Sequence, residues 1–270
     1  MARIDAALGD VHLLDRLAVG ESPVHRLDPR AKVIVTAAFL LTVVSFPKYE
    51  IAELMPLVLY PAVLLALGRV PMRVLGRFLL LASPFAVMVG IFNPILDRHT
   101  VVRIGSFSIS GGWVSFTSII FRFLLTVSAA FLLLAYTGYV SICSALGRLG
   151  APRLLVTQFL LLYRFMFVLT EEAARMARAH ALRSCSRRSA VIRVWGSLAG
   201  HLLLRAYDRG LRVYAAMLCR CFNGTIRAPR LRRWSAADTF FLTAWCGFFL
   251  VVRFGHCAAR LGKWALETFG

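Results

Sequence analysis

Apolar residues fill this chain in long blocks, five of them approaching the roughly 20 residues that a helix needs to cross a bilayer. They run approximately from Val33 to Phe46 with its N-terminal flank, Ile51 to Leu67, Phe78 to Leu96, Ile119 to Tyr136, and Thr239 to Val252 extended toward Trp234. Only Pro47, Lys48, Tyr49 and Glu50 separate the first two, which predicts a tight helical hairpin. Pro84 and Pro94 fall inside the third block, where neighbouring helices can re-satisfy a backbone that proline disrupts. Arg122 lies near the start of the fourth, placed to snorkel to the interface. Between Asp97 and Trp113 the chain turns polar and rich in Gly and Ser, and alternating apolar residues there allow either a small hairpin or a plain loop.

From Val140 to Arg233 the pattern changes. This stretch carries 17 arginines against only Glu171, Glu172 and Asp208, yet contains the apolar run Leu154 to Leu169. Gln158 and Arg164 interrupt that run, so it reads as a helix packed against others or entering the membrane obliquely. It continues through Glu171, Glu172, Arg175 and Arg178 at spacings of three and four, which suits a long cytoplasmic helix. A second helix is predicted from about Val194 to Cys221, with Arg205, Arg209 and Arg212 on one face and Leu204, Leu211, Ala215 and Leu218 as an apolar stripe. Both helices end at an arginine, in Leu182-Arg183-Ser184 and in Cys219-Arg220-Cys221, and Asn223-Gly224 is a stop signal for the second.

Composition fixes the class. At 59% hydrophobic residues and a mean hydropathy of +0.71, the chain exceeds the apolar content of soluble domains, and an all-α integral membrane protein of about five transmembrane helices plus a cytoplasmic module of long helices is expected. The formal net charge is +19, almost wholly from arginine. Such a charge suggests nucleic acid first, but the positive-inside rule accounts for it more simply. Arg26, Arg30 and Lys32 precede the first span, Arg69, Arg73 and Arg77 lie between the second and third, and the long basic region follows the fourth. All three fall on one side if the N-terminus is cytoplasmic. The expected organisation is a cytoplasmic segment over 1–32, spans one to four over 33–137, a cytoplasmic or interfacial helical module over 138–233, and a last span with its tail over 234–270. Residues 1–20 mix Asp5, Asp10, Asp15 and Arg16 with leucines, unlike a signal peptide, so the N-terminus is expected to be retained.

Candidate chemistry is sparse. The six cysteines lack paired spacing and read as free thiols; Cys219 and Cys221 make only a C-x-C pair with no His, Asp or Glu cluster beside it, so no metal site is expected. No Walker-type loop, Gly-x-Ser-x-Gly elbow or HExxH pair occurs, so the chain is expected not to hydrolyse ATP and not to be an enzyme. His25, Asp28, Pro29, Arg30 and Lys32 could form a site. The simpler reading makes Asp28 the cap of the first helix, with Pro29 in its first turn and the basic residues fixing orientation; a contact with the long helices of the basic region is its rival. Glu171 and Glu172 point in different directions on a helix, which favours pairing with arginine over paired catalysis.

Several of these residues carry a family resemblance. The pattern Pro23-Val-His25-Arg-Leu-Asp28-Pro29-Arg30-Ala-Lys32 resembles the N-terminal signature of the transmembrane T component of energy-coupling-factor (ECF) transporters. So do Leu162-Tyr-Arg164 followed by Glu171-Glu172, Ala177 and Arg183, and Tyr207-Asp208-Arg209 followed by Ala216-Met217, Arg220 and Gly224. The match spans nearly the whole chain in order and is most similar to the cobalt and nickel branch, CbiQ or NikQ. The resemblance implies a multi-pass protein of the bacterial inner membrane that couples two ABC-type ATPase subunits to a separate substrate-binding membrane subunit, CbiM/NikM-like, with a small accessory membrane subunit as a further partner. ATP would sit on the partner subunits, and no cofactor would bind this chain. The family's coupling helices each end in a motif, typically Ala-Arg-Gly, that docks in an ATPase groove. Leu182-Arg183-Ser184 and Cys219-Arg220-Cys221 keep the arginine and depart at its neighbours, while Arg164, Glu171, Glu172, Arg205, Asp208, Arg209, Met217 and Gly224 become candidate coupling-helix contacts. A T component serving a vitamin, or a membrane enzyme whose arginines bind lipid-linked phosphate, are the alternative readings.

Overall fold

The computed structural model describes residues 17–18, 20, 22–47, 51–68, 70–96, 100–104, 107–183, 191–224, 226 and 234–255. Helices dominate: α1 (Pro29–Ser45), α2 (Ile51–Leu54), a 3-10 turn at Met55–Val58, α3 (Leu59–Gly68), α4 (Met72–Leu96), α5 (Gly111–Thr137), α6 (Tyr139–Arg148), α7 (Arg153–Arg183), α8 (Val191–Leu218) and α9 (Ala236–Phe254). Between α4 and α5, β1 (Thr100–Ile104) and β2 (Phe107–Ser110) pair antiparallel with one irregularity between Thr100 and Val102, so the hairpin alternative holds for the polar segment. The chain is an all-α membrane protein with this single small hairpin among its described residues.

Among the described residues, four helices are long and apolar enough to cross a membrane: Met72–Phe92, Gly111–Thr137, Arg153–Arg183 and Ala236–Phe254. The second apolar block, expected as one helix, is broken. Pro56 sits in the first turn of the 3-10 segment, where its missing N–H cannot continue the α-helical ladder. Pro84, by contrast, lies inside α4 without interrupting it. The run Leu154 to Leu169, expected to be packed or oblique, belongs to a helix that meets the length and hydropathy of a span.

The described residues fall into two compact units, Cys143–Arg230 and Leu17–Ile142 with Leu231–Gly270. In the second, α5 packs against α4, α1 and α3, and α9 packs on α1. Its core is aromatic: Phe39 of α1 and Tyr60 of α3 lie 4.7 Å apart between ring centroids, and Trp245 and Phe249 of α9 close over Tyr60 at 4.9 and 5.5 Å. Such offset and edge-on pairs add to the area they bury. The Tyr60 hydroxyl, fully enclosed, is satisfied by Thr36 Oγ1 at 2.8 Å. Gly68 lets α3 press against the Tyr136 ring of α5, since any Cβ at that position would collide with it.

Because α5 begins at Gly111, eight residues before the apolar block suggested, Arg122 falls well inside the helix, and its Nη2 donates to the Pro47 carbonyl at 2.6 Å.

Candidate functional site

The N-terminal motif forms a buried polar knot. Asp28 has extended backbone angles and its Oδ1 accepts from Arg30 N at 2.8 Å, which makes it the N-cap of α1 with Pro29 at the first helical position. The Asp28 N–H in turn donates to Asp238 Oδ1 at 2.8 Å, while Asp238 Oδ2 accepts from Ser235 N at 2.8 Å in a capping box. One carboxylate thus caps its own helix and ties the starts of α1 and α9 together. Lys32 is buried nearby and donates from Nζ to the Tyr136 carbonyl at 3.1 Å. His25 stacks edge-on against Tyr136 at 5.3 Å. The His25 Nε2–H donates to the Leu17 carbonyl at 2.8 Å, and its Nδ1 accepts from the Ser22 hydroxyl at 2.6 Å. Burial pushes the His25 pKa down, against the opposing Leu17 bond and with the Lys32 charge adding to the shift, which favours the neutral ring. The Asp28 cap, with Pro29 in the first turn, is therefore observed. The tie to Asp238 was not legible in sequence, because a separation of 210 residues leaves no local signal.

The other candidates lie in the unit built on α7 and α8. The two helices run antiparallel: Thr157 near the start of α7 donates to the Gly224 carbonyl just past α8 at 3.1 Å, and Glu172 midway along α7 meets Arg205 of α8. Glu172 Oε1 accepts from Arg205 and its Oε2 from Arg175, each at 2.6 Å. Both oxygens are used by arginines, one on its own helix and one across the pair, as expected for an acid in a basic helix. Glu171, adjacent, is exposed, as is Arg164. Asp208 and Arg209 line a polar pocket of about 540 Å³ beside Arg205 and Arg212, and Met217 and Gly224 line a separate apolar groove.

The face of α8 that meets α7 is not the predicted stripe. Leu198, Leu202, Ala206, Val213 and Met217 line the clefts between the helices, as does Leu218 of the predicted stripe, whereas Leu204 and Leu211 are exposed away from them. Apolar residues occur all round α8, so periodicity could not choose between the faces.

Leu182 and Arg183 are exposed at the C-terminus of α7, and Ser184 lies outside the described residues. At the end of α8 the geometry is complete. Phe222 N donates to Met217 O and Cys221 N to Leu218 O, both at 3.0 Å, and Cys221 has φ +57°. These are the two bonds of a Schellman cap, in which the residue after the cap adopts the left-handed conformation. Arg220 is the capping residue and Cys221 occupies the left-handed position. Gly224, read as the stop, also has positive φ, +82°, but comes three residues later. The reversal leaves Arg220 exposed past the last helical turn, between two exposed thiols. Neither Arg183 nor Arg220 is paired with a carboxylate among the described residues.

Since α7 and α8 are antiparallel, their C-termini lie at opposite ends of the pair. Thr157 marks the Arg220 end, and from Thr157 to Arg183 the α7 helix rises for 26 residues. At about 1.5 Å per residue the two arginines are displayed roughly 40 Å apart.

The family model described as cobalt transport protein, CbiQ, matches residues 20–230. The chain belongs to this family. Relatives agree with the assignment across the chain. It is 28% identical over 253 residues to an energy-coupling factor transporter transmembrane protein, EcfT, of Heliobacterium modesticaldum, covering 86% of this chain and 92% of that one. A cobalt transport protein CbiQ of Salmonella typhimurium is 29% identical over 157 residues, 53% of this chain and 69% of the relative. A Methanocorpusculum labreanum chain named as a fused cobalt transport protein, CbiMQ, is 23% identical over 236 residues, 82% of this chain but 38% of its own length. The CbiQ family is a transporter membrane family, and the resemblance to ECF T components, cobalt branch, drawn from the motifs stands with it.

Proposed function

We propose that this protein is the energy-coupling scaffold of an ECF-type importer, transmitting ATP hydrolysis by two partner ATPase subunits to a substrate-binding membrane subunit that carries cobalt or nickel. The observation that supports this most directly is the display of Arg183 and Arg220 at opposite ends of one antiparallel helix pair, about 40 Å apart by helix rise. A single groove could not take both side chains, whereas two subunits of a dimeric ATPase could take one each. Arginine suits the task because its guanidinium stays charged and offers five donors in a fixed fork to carboxylates and backbone carbonyls. Glu172, bonded to Arg205 across the pair, makes α7 and α8 respond together, so that closure of the ATP-bound subunits displaces both ends of one element. In this reading the α7–α8 module lies in the cytoplasm or at its membrane face, the N-terminus is cytoplasmic, and ATP stays on the partners. The fusion of CbiM and CbiQ names in one relative fits a substrate-binding partner of that kind.

Detergent co-purification with the partner ATPase tests the reading, comparing the native protein with Arg183→Glu, Arg220→Glu and the double variant, each checked for membrane insertion. Stepwise loss of ATPase is expected. A double variant that retains the ATPase as well as the native protein would remove the arginines as anchors.

A further inference from the structure

We propose that the cleft between α7 and α8 is a binding site for an anionic phospholipid. Two cavities there are neighbours, with Leu169 and Val213 in the wall of each. One is apolar, about 750 Å³, and is walled by Leu162, Phe165 and Met166 of α7 with Tyr214 and Met217 of α8 and Phe222 beyond it. The other is polar, about 540 Å³, and presents Arg205, Arg209 and Arg212 with the carboxylates Glu172 and Asp208. Both volumes lie in the range of small-molecule sites.

The charges in the polar cavity are not balanced. Glu172 is committed to Arg175 and Arg205. Asp208 alone then remains for Arg209 and Arg212, and neither arginine is ion-paired among the described residues. A residual positive field at the mouth of an apolar groove is complementary to a phosphate joined to an acyl chain. The order along α7 agrees: the groove follows its apolar half from Leu154 to Leu169, and the polar cavity begins at Leu169 and Glu172, where the helix turns charged. An amphiphile laid along α7 would therefore keep its chain with apolar and its headgroup with basic side chains, as basic pockets at a membrane face do.

The full-length protein in detergent, titrated with dioleoyl phosphatidylglycerol and separately with dioleoyl phosphatidylcholine, decides the matter by native mass spectrometry. Phosphatidylglycerol is expected to bind in preference. Arg209→Gln with Arg212→Gln should weaken it by about 5-fold for each arginine, about 30-fold together, and leave phosphatidylcholine unchanged. Arg209→Lys with Arg212→Lys should retain most of the preference, which separates charge from misfolding. Gly210→Leu, which fills the groove from α8, should lower binding of both lipids. Equal binding of the two lipids, an unaltered preference in the Gln variant, or displacement of the lipid by inorganic phosphate would each overturn the proposal, the last by showing a free-phosphate site. Because ATPase co-purification is read separately, failure of the lipid site leaves the coupling reading untouched.

Discussion

Replacing Cys221 by glycine should tighten the end of α8. Cys221 is held at φ +57° by the two bonds of the Schellman cap. A side chain in that conformation brings Cβ against the following carbonyl, at a cost of about 1–2 kcal/mol. Glycine removes the clash but enlarges the freedom of the unfolded chain, which offsets about 0.4–1 kcal/mol of the gain. The difference is a stabilisation of about 0.5–1 kcal/mol, confined to the cap because the residue is exposed and makes no core contact. Cys221→Val should act in the opposite sense, since a β-branched residue tolerates the left-handed region least. Hydrogen exchange on peptides covering 218–223 reads the effect through the Cys221 and Phe222 amides, the donors in the two cap bonds. Protection is expected to rise about 2-fold to 5-fold in the glycine variant, as every 1.4 kcal/mol is a factor of ten, and to fall in the valine variant. If glycine left exchange unchanged or faster while valine remained as protected as the native residue, Cys221 would not be in the left-handed position and the cap assignment would fail.

Two further outcomes follow from the polar knot around α1. Asp238 accepts one N–H at each carboxylate oxygen, from Asp28 and from Ser235. Asp238→Asn would turn one buried acceptor into an NH₂ facing a donor, so thermal unfolding in detergent should show a loss of about 1–3 kcal/mol, the cost of an unsatisfied buried group. His25 has its pKa lowered in the folded protein, so its contribution to stability is complete above the unfolded value near 6.5 and is lost as pH falls through the lower folded value. Melting between pH 7.5 and pH 5 should therefore fall more steeply for the native chain than for His25→Gln, which cannot titrate; parallel curves would contradict the neutral-ring assignment.

What the sequence disclosed and what it hid have physical causes. Hydropathy found the apolar helices because a bilayer demands unbroken runs, and the Asp28-Pro29 cap was legible because capping chemistry acts over two or three residues. The α8 packing face was hidden because Leu and Tyr occur on several sides of that helix, so periodicity left the face open. Pro56 was underestimated as a break. It shifts the backbone to a 3-10 turn, whereas Pro84 in α4 does not, and the two are indistinguishable by residue type alone. The Asp28 to Asp238 tie required the fold itself, since it joins the first and last described helices.

The departures from Ala-Arg-Gly now have a structural meaning at the second motif. Here the residue after the arginine takes positive φ where the chain reverses at the helix end, a conformation that glycine adopts without cost. Cys221 takes the same conformation with a side chain present. The backbone turn is thus preserved while its stability is lowered, and the exposure of Arg220 depends on the turn rather than on the identity of its neighbours. If Arg220 anchors a partner subunit as proposed, Cys221→Gly should strengthen that attachment, whereas Arg220→Glu should abolish it. Opposite signs from adjacent positions would separate the geometry that presents the arginine from the charge that is presented.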